Sequence, residues 1–398
     1  MIEYFAEGAV LAALAYLLYR YFGRAESLPA RDTRVPYGKL LAMFFAGRLF
    51  VYLSALCICA ARGGLDAFLS GGLFAWIKWD APHYLSLAEN GYVNTGDARF
   101  HIVFYPLYPL CVRIASHLFF GRIELAAFVL SNGCFFGACV LLYKIAATEE
   151  DENTALRAVR LLCLNPLSLF FSVPYGESLF LLLTLASVYC ARRKKFAAAI
   201  LLGALCSLTR MPGILVAIPI YYEMRAASKD FREKVRYVLC TSLVGVGFLA
   251  YLALNYAVTG DPFRFMTYQR EHWYQQFGSL HNTISYTLQN AIAYRDEAYR
   301  FATWIPQIVS IGLFLLLLAY AARQLRAGDA AYYLVYFYVT VAPTWLLSGA
   351  RYLFALYGAY IALAKLLKHR WADVCVTVLF ACGSVYMVWA FFVWNALM

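Results

Sequence analysis

Apolar residues run along this chain in long blocks. They do not alternate, and they are not confined to one helical face. Blocks of one to two dozen apolar positions, cut by short polar and basic connections, predict helices that cross a bilayer, for which about 20 apolar residues suffice. The pattern places spans at 4–22, 37–60, 124–147, 156–173, 177–191 and 196–208, then at 211–222, 235–258, 301–321, 330–347, 351–367 and 372–394. That is about 12 transmembrane helices (11–13) in an all-α polytopic membrane protein. Two connections exceed a tight turn: 62–123, a first outer loop with interfacial helices, and 259–300, a second outer loop. Within the first, residues 101–120 are apolar enough for a further span, but Pro106, Pro109, Arg113 and His117 interrupt it. That suits an interfacial or re-entrant segment. No linker, low-complexity tract or internal repeat is visible, so 1–398 reads as a single membrane domain.

Composition narrows the class. Of 398 residues, 63% are apolar and 14% charged, against roughly a quarter charged in globular domains. A soluble enzyme, a nucleic-acid binder and a disordered tail are excluded. The net charge of +11 reads as basic residues in cytoplasmic connections. Twenty-two of the 34 Lys and Arg fall on one set of alternate connections, among them Arg192–Lys195 and Arg225–Arg236, which makes that side cytoplasmic and both termini external. Glu3 and Glu7, with no basic leader, argue against a cleaved signal peptide. The eleven Cys lie almost wholly in apolar runs without paired spacing and read as small hydrophobes.

Polar groups that are costly in an apolar setting gather on the opposite, outer side: Asp80, His83, His101, Glu177, Arg210, Arg270, His272 and Arg351. Ionisable groups beside membrane segments are candidate functional groups by default. Asp80 precedes Pro82 in Trp79-Asp80-Ala81-Pro82-His83-Tyr84, so it could simply cap a short helix that Gly91 ends. Alternatively, it is a general base held just outside the bilayer. Glu177 could be a first-turn acid favoured by the helix dipole, and Arg210 a snorkelling cation in a tight turn. Arg351 repeats the arrangement at a third helix junction. The segment Tyr268–Trp273 is an aromatic belt or a lid whose Arg270 and His272 meet a lipid phosphate. No metal-ligand spacing, Walker loop, dinucleotide fingerprint or nucleophile elbow is present.

These residues resemble a known family. Trp79-Asp80-Ala81-Pro82-His83-Tyr84, continuing through Ala88-Glu89-Asn90-Gly91-Tyr92, is similar to the signature of the PIG-V family, polyprenyl-phosphate-sugar-dependent mannosyltransferases related to GPI mannosyltransferase 2. Phe104–Leu110, Asn165-Pro166, Tyr175–Phe180, Arg210–Gly213 and Arg351-Tyr352 follow in family order. Gly176 stands where Ser is common, and Met211-Pro212 replaces the usual pair. The resemblance implies a GT-C-type glycosyltransferase fold with a catalytic Asp in the first long outer loop. It implies transfer of a hexose, mannose by family, from a polyprenyl-phosphate sugar to a glycan or glycolipid acceptor, with inversion and Asp80 as general base. Arg210, Arg351 and then Arg270 would receive the leaving phosphate. His83, His101, Tyr105 and Glu177 would line the sugar and acceptor pocket, with no metal and no cofactor. Compact outer loops suit a prokaryotic relative, hence a bacterial plasma membrane with the site on its extracytoplasmic face. The competing reading is a secondary transporter or lipid flippase, which would call for paired repeats and charges near the bilayer centre.

Overall fold

The computed structural model describes residues 2–23, 34–346 and 348–394. Arg24 and Arg31 of the first basic connection, and Leu347 at the end of one expected span, lie outside the described residues. The described chain is helical almost throughout, with an isolated antiparallel bridge between Phe277 and Pro343.

The helix Tyr37–Ala61 shows why these apolar blocks fold as they do. Its buried positions Leu40, Phe44, Gly47, Val51 and Ala55 recur every three or four residues and face the bundle. Phe45, Leu49 and Leu53 point outward and stay exposed. Such a helix is apolar all round because both of its surroundings are apolar. Ile123–Glu149 lies deeper. It packs against Leu107–Ser116, Glu152–Leu164 and Glu177–Arg192.

The all-α membrane architecture is as expected, but the count of twelve spans is not confirmed. Among the described residues, five helices are long and apolar enough to cross a membrane: Tyr37–Ala61, Ile123–Glu149, Phe231–Thr259, Glu297–Gln324 and Arg370–Trp394. Asp97–Val103 and Leu107–Phe119, bent by 110°, would make a sixth if taken as one broken span. Several apolar blocks are split by their own prolines and glycines. The block at 156–173 becomes Glu152–Leu164 and a short turn Ser168–Phe171, because Pro166 disfavours helix at Asn165. The Asn165 side chain answers with two local bonds, donating to Leu162 O (2.7 Å) and accepting from Leu167 N–H (2.9 Å). Arg48 reaches across from Tyr37–Ala61 and donates to Cys163 O (3.2 Å), Ser168 O (2.8 Å) and the Ser172 hydroxyl. Carbonyls freed at a helix break inside an apolar bundle need such a partner.

Charge is buried at two ends of one helix. Glu177–Arg192 starts with Glu177 in one charged cluster and finishes with Arg192, which pairs with Glu149 (2.5 Å) and Asp329. Arg326–Glu223 (2.7 Å) and Lys365–Glu150 (2.5 Å) extend that second cluster. At 1.5 Å per residue the two clusters stand roughly 23 Å apart along the helix.

Candidate active site

Asp80 opens the helix Asp80–Asn90, which Gly91 closes with φ 75°. Trp79, in the left-handed region at φ 51°, is the residue before the helix, so Asp80 sits in the first turn and is not the cap. Its carboxylate leaves its own helix. Arg351 Nη2 donates to Asp80 Oδ2 at 2.7 Å. The backbone is pinned by Tyr175, whose hydroxyl accepts from Asp80 N–H (3.2 Å) and donates to Lys78 O (2.9 Å).

Glu177 likewise turns away from its helix and lies between two guanidinium groups. Arg210 Nη1 and Arg351 Nε each approach its Oε1 at 2.9 Å, as ion pairs without the alignment of hydrogen bonds. Only 2% of the Glu177 side chain is exposed, against 25% for Asp80. The four charges sum to zero. Arg351 stacks over Tyr175 (4.9 Å), Phe170 and Tyr352, and Arg210 over Tyr352 (4.1 Å). These cation–π contacts hold the planes of both guanidinium groups.

Two glycines make these positions possible. A Cβ on Gly213 would lie 2.2 Å from Cys206 O, so only glycine lets the turn after Arg210 close against the preceding helix. A Cβ on Gly349 would lie 2.3 Å from Gln307 Nε2, whose Oε1 accepts from Ala350 N–H (2.7 Å) and seats the short helix carrying Arg351.

Asp80, Arg210 and Arg351 line one cavity of about 450 Å³, with Trp79, His83, Phe104, Tyr105, Gln269, Trp273, Gln275, Tyr336 and Thr340 among its other walls. Glu177 sits behind the arginines. His101 backs His83, Nε2 to Nδ1 at 2.9 Å. Arg270 is not brought to the cavity: its side chain is 64% exposed and its nearest acid is Glu271 at 3.9 Å. One step along a helix rotates a residue by about 100°, so Gln269 reaches the cavity and Arg270 turns outward. The sequence reading missed Gln269, Trp273, Gln275 and Thr340. The aromatic density around Trp273 was the only available signal, because the amides carry no charge to mark them. Among the described residues no group of three His, Cys, Asp or Glu could hold a metal ion.

Burial lowers the proton affinity of His83, and His272 adds to this, while Asp80 opposes it. A histidine whose folded value lies below its unfolded one stabilises the fold above about pH 6.5 and loses that contribution as pH falls toward the lowered value. The thermal midpoint of wild type should therefore drop on acidification below pH 6.5 more steeply than that of His83→Gln. Parallel curves would remove His83 from the acid limb.

The chain is similar to known proteins in both sequence and fold. Residues 41–285, more than half of the chain, match the family described as Mannosyltransferase (PIG-V). GPI mannosyltransferase 2 of Drosophila pseudoobscura pseudoobscura is 25% identical over 325 residues, covering 78% of this chain and 68% of that protein. The human GPI alpha-1,6-mannosyltransferase 2 is 27% identical over 256 residues, covering 61% of this chain and 49% of its own length. The chain thus aligns with about half of the mammalian relatives. The crystal structure of ArnT from Cupriavidus metallidurans, bound to undecaprenyl phosphate, superposes with a TM-score of 0.51 at 15% identity, over 81% of this chain and 64% of that one. The fold is that of a multi-pass GT-C membrane glycosyltransferase. The chain belongs to the PIG-V family of mannosyltransferases. The relatives named are eukaryotic and lend no support to a bacterial plasma membrane.

Proposed function

We propose that this chain transfers a hexose, mannose by family, from a polyprenyl-phosphate sugar to an acceptor hydroxyl at the extracytoplasmic face of its membrane, with inversion. The single observation that carries this is Arg351. It holds Asp80 by Nη2 and Glu177 by Nε, while its Nη1 is buried without a hydrogen-bond partner.

The chemistry follows from that geometry. Asp80 takes the proton from the acceptor hydroxyl as the oxygen attacks the anomeric carbon. The bond from that carbon to the phosphate oxygen breaks, and the lipid phosphate departs with one more negative charge than it had as a diester. Negative charge therefore moves from Asp80 to the phosphate. Arg351 can contact both, so it loses no ionic partner during the reaction. Fixed cations aimed at developing charge in a dry site are among the larger contributions to catalysis. Arg210, tied to the same Glu177, supplies the second cation. The donor is a substrate, and neither a metal nor a cofactor enters the scheme.

The polyprenyl phosphate seen on ArnT and the family's mannose support this donor. The bias of basic residues toward the opposite connections supports the outer face. Purified protein with labelled polyprenyl-phosphate mannose and a membrane extract should release polyprenyl phosphate and label one acceptor class. No release would end the proposal. Arg351→Ala should lower kcat by about 10²–10³-fold, the cost of removing one such charge-stabilising donor. Arg351→Lys should recover part of the loss, since an ammonium restores a positive charge beside the phosphate but lacks the planar fork that spans Asp80, Glu177 and the phosphate. An unchanged kcat in Arg351→Ala would place the phosphate elsewhere.

A further inference from the structure

We propose that Phe391 and Lys78 are positioning residues for Asp80. The turn Ala390–Trp394, at the end of the helix Arg370–Trp394, seats the segment just before Asp80 and so aims the base from outside the cavity. This rests on the proposed transfer reaction and adds what holds its base in place. Phe391 lies beyond residues 41–285, which the family matches.

The first observation is the backbone beside Asp80. Trp79 has φ 51° and ψ −107°. A bulky residue rarely takes a positive φ, and keeps one only where its surroundings over-determine it. Two sets of contacts do so here. Lys78 O accepts from Ala81 N–H (3.1 Å) as well as from the Tyr175 hydroxyl, which closes the turn along the main chain. The Trp79 indole meets the Phe391 ring edge to face, with centres 4.6 Å apart at 83°.

The second is that Lys78 reaches the same partner. Its Nζ donates to Phe391 O (2.9 Å) and lies over the rings of Phe391 (5.1 Å), Phe392 (5.2 Å) and Trp79 (5.9 Å). Ring faces attract an ammonium, so the side chain is held along its length and at its tip. Residues 78 and 79 therefore engage Phe391 twice, at its carbonyl and at its ring.

The third is what else the Phe391 ring touches. It is fully buried and is not among the walls of the cavity, so it meets neither substrate. It packs on Phe170 with centres 6.4 Å apart, and Phe170 lies under the Arg351 guanidinium at 5.4 Å. One ring thus backs both members of the Asp80–Arg351 pair, Asp80 through Trp79 and Arg351 through Phe170. A shift of this ring would displace the base relative to its cation. Misplacing reacting groups by about 1 Å can cost about 10²-fold in rate.

The test uses the full-length protein with labelled polyprenyl-phosphate mannose and membrane extract, and reads polyprenyl phosphate release and the thermal midpoint. Lys78→Met keeps an apolar stem among the rings and removes the bond to Phe391 O. It should lower kcat about tenfold, one hydrogen bond's worth, while donor KM holds, and Lys78→Arg should recover much of the loss. Phe391→Ala should lower kcat by about 10²-fold; the Lys78 variants keep the test decisive where Phe391→Ala does not fold. Because the effect passes through Asp80, Lys78→Met should add no further loss to Asp80→Asn, whereas independent sites lose additively. A full tenfold further loss in that double variant overturns the assignment. So does a Lys78→Met protein with a lowered midpoint and unchanged kcat, or with a donor KM that rises as kcat falls. If wild type transfers sugar and these variants behave as wild type, the assignment alone fails. If wild type releases no polyprenyl phosphate, the reaction itself fails and this assignment with it.

Discussion

Asp80→Asn is expected to leave the bundle folded and to lower sugar transfer by about 10²–10⁴-fold, the usual cost of losing a general base. The substitution is isosteric. An amide oxygen can still accept from Arg351, which now donates to Asp80 Oδ2 at 2.7 Å. The contacts of Tyr175 are to the backbone of Lys78 and Asp80 and do not depend on the carboxylate. A quarter of the side chain is exposed, so the lost charge is not deeply buried. What disappears is the capacity to accept a proton. Release of polyprenyl phosphate reports the chemical step, and the thermal midpoint reports the fold. A near-normal midpoint with activity reduced by orders of magnitude is the expected pair. Full activity would take the base away from Asp80. A collapsed midpoint would mean that the carboxylate is chiefly Arg351's structural partner.

The sequence revealed the class of this protein more readily than its architecture. Apolar blocks locate helices because burial in lipid or in protein demands the same residues. For that reason they cannot distinguish a crossing from a short buried helix. Gly349–Leu353 and Tyr357–Leu366 are apolar because they are interior, and the sequence pattern joined them into one span. The block at 156–173 was divided by Pro166, a boundary visible in the sequence but overridden there by its hydropathy. Positions in the site fared differently. Asp80, Glu177, Arg210 and Arg351 were legible because a charge in an apolar run is costly and needs a reason. Their pairing was not legible, since it brings together residues up to 271 positions apart. Gln269 and Gln275 gave no such sign, and Arg270 misled because charge drew attention to the wrong face of its helix.

Glu177→Gln should have the largest effect on stability, about 3–5 kcal/mol, as when one member of a buried ion pair is removed. Glu177 lies between two guanidinium groups at 2.9 Å each, with 2% of its side chain exposed. Taking its charge away leaves Arg210 and Arg351 close together in a pocket walled by Phe170, Phe180, Tyr175 and Tyr352. Among the described residues Asp80 would then be the one acid paired with either arginine, and it pairs with Arg351. Two cations would share one counter-charge, and the glutamine could accept from only one of them at a time. A lowered thermal midpoint in detergent checks this, and adding excess polyprenyl phosphate should restore part of it, because an anion bound at the arginines replaces the missing charge. The double variant Glu177→Gln, Arg210→Met separates charge balance from shape: it restores neutrality, so its midpoint should recover while transfer stays low. If the double variant melts as early as the single one, Glu177 matters for packing and not for holding the two arginines, and the phosphate-receiving role given to them loses its electrostatic basis.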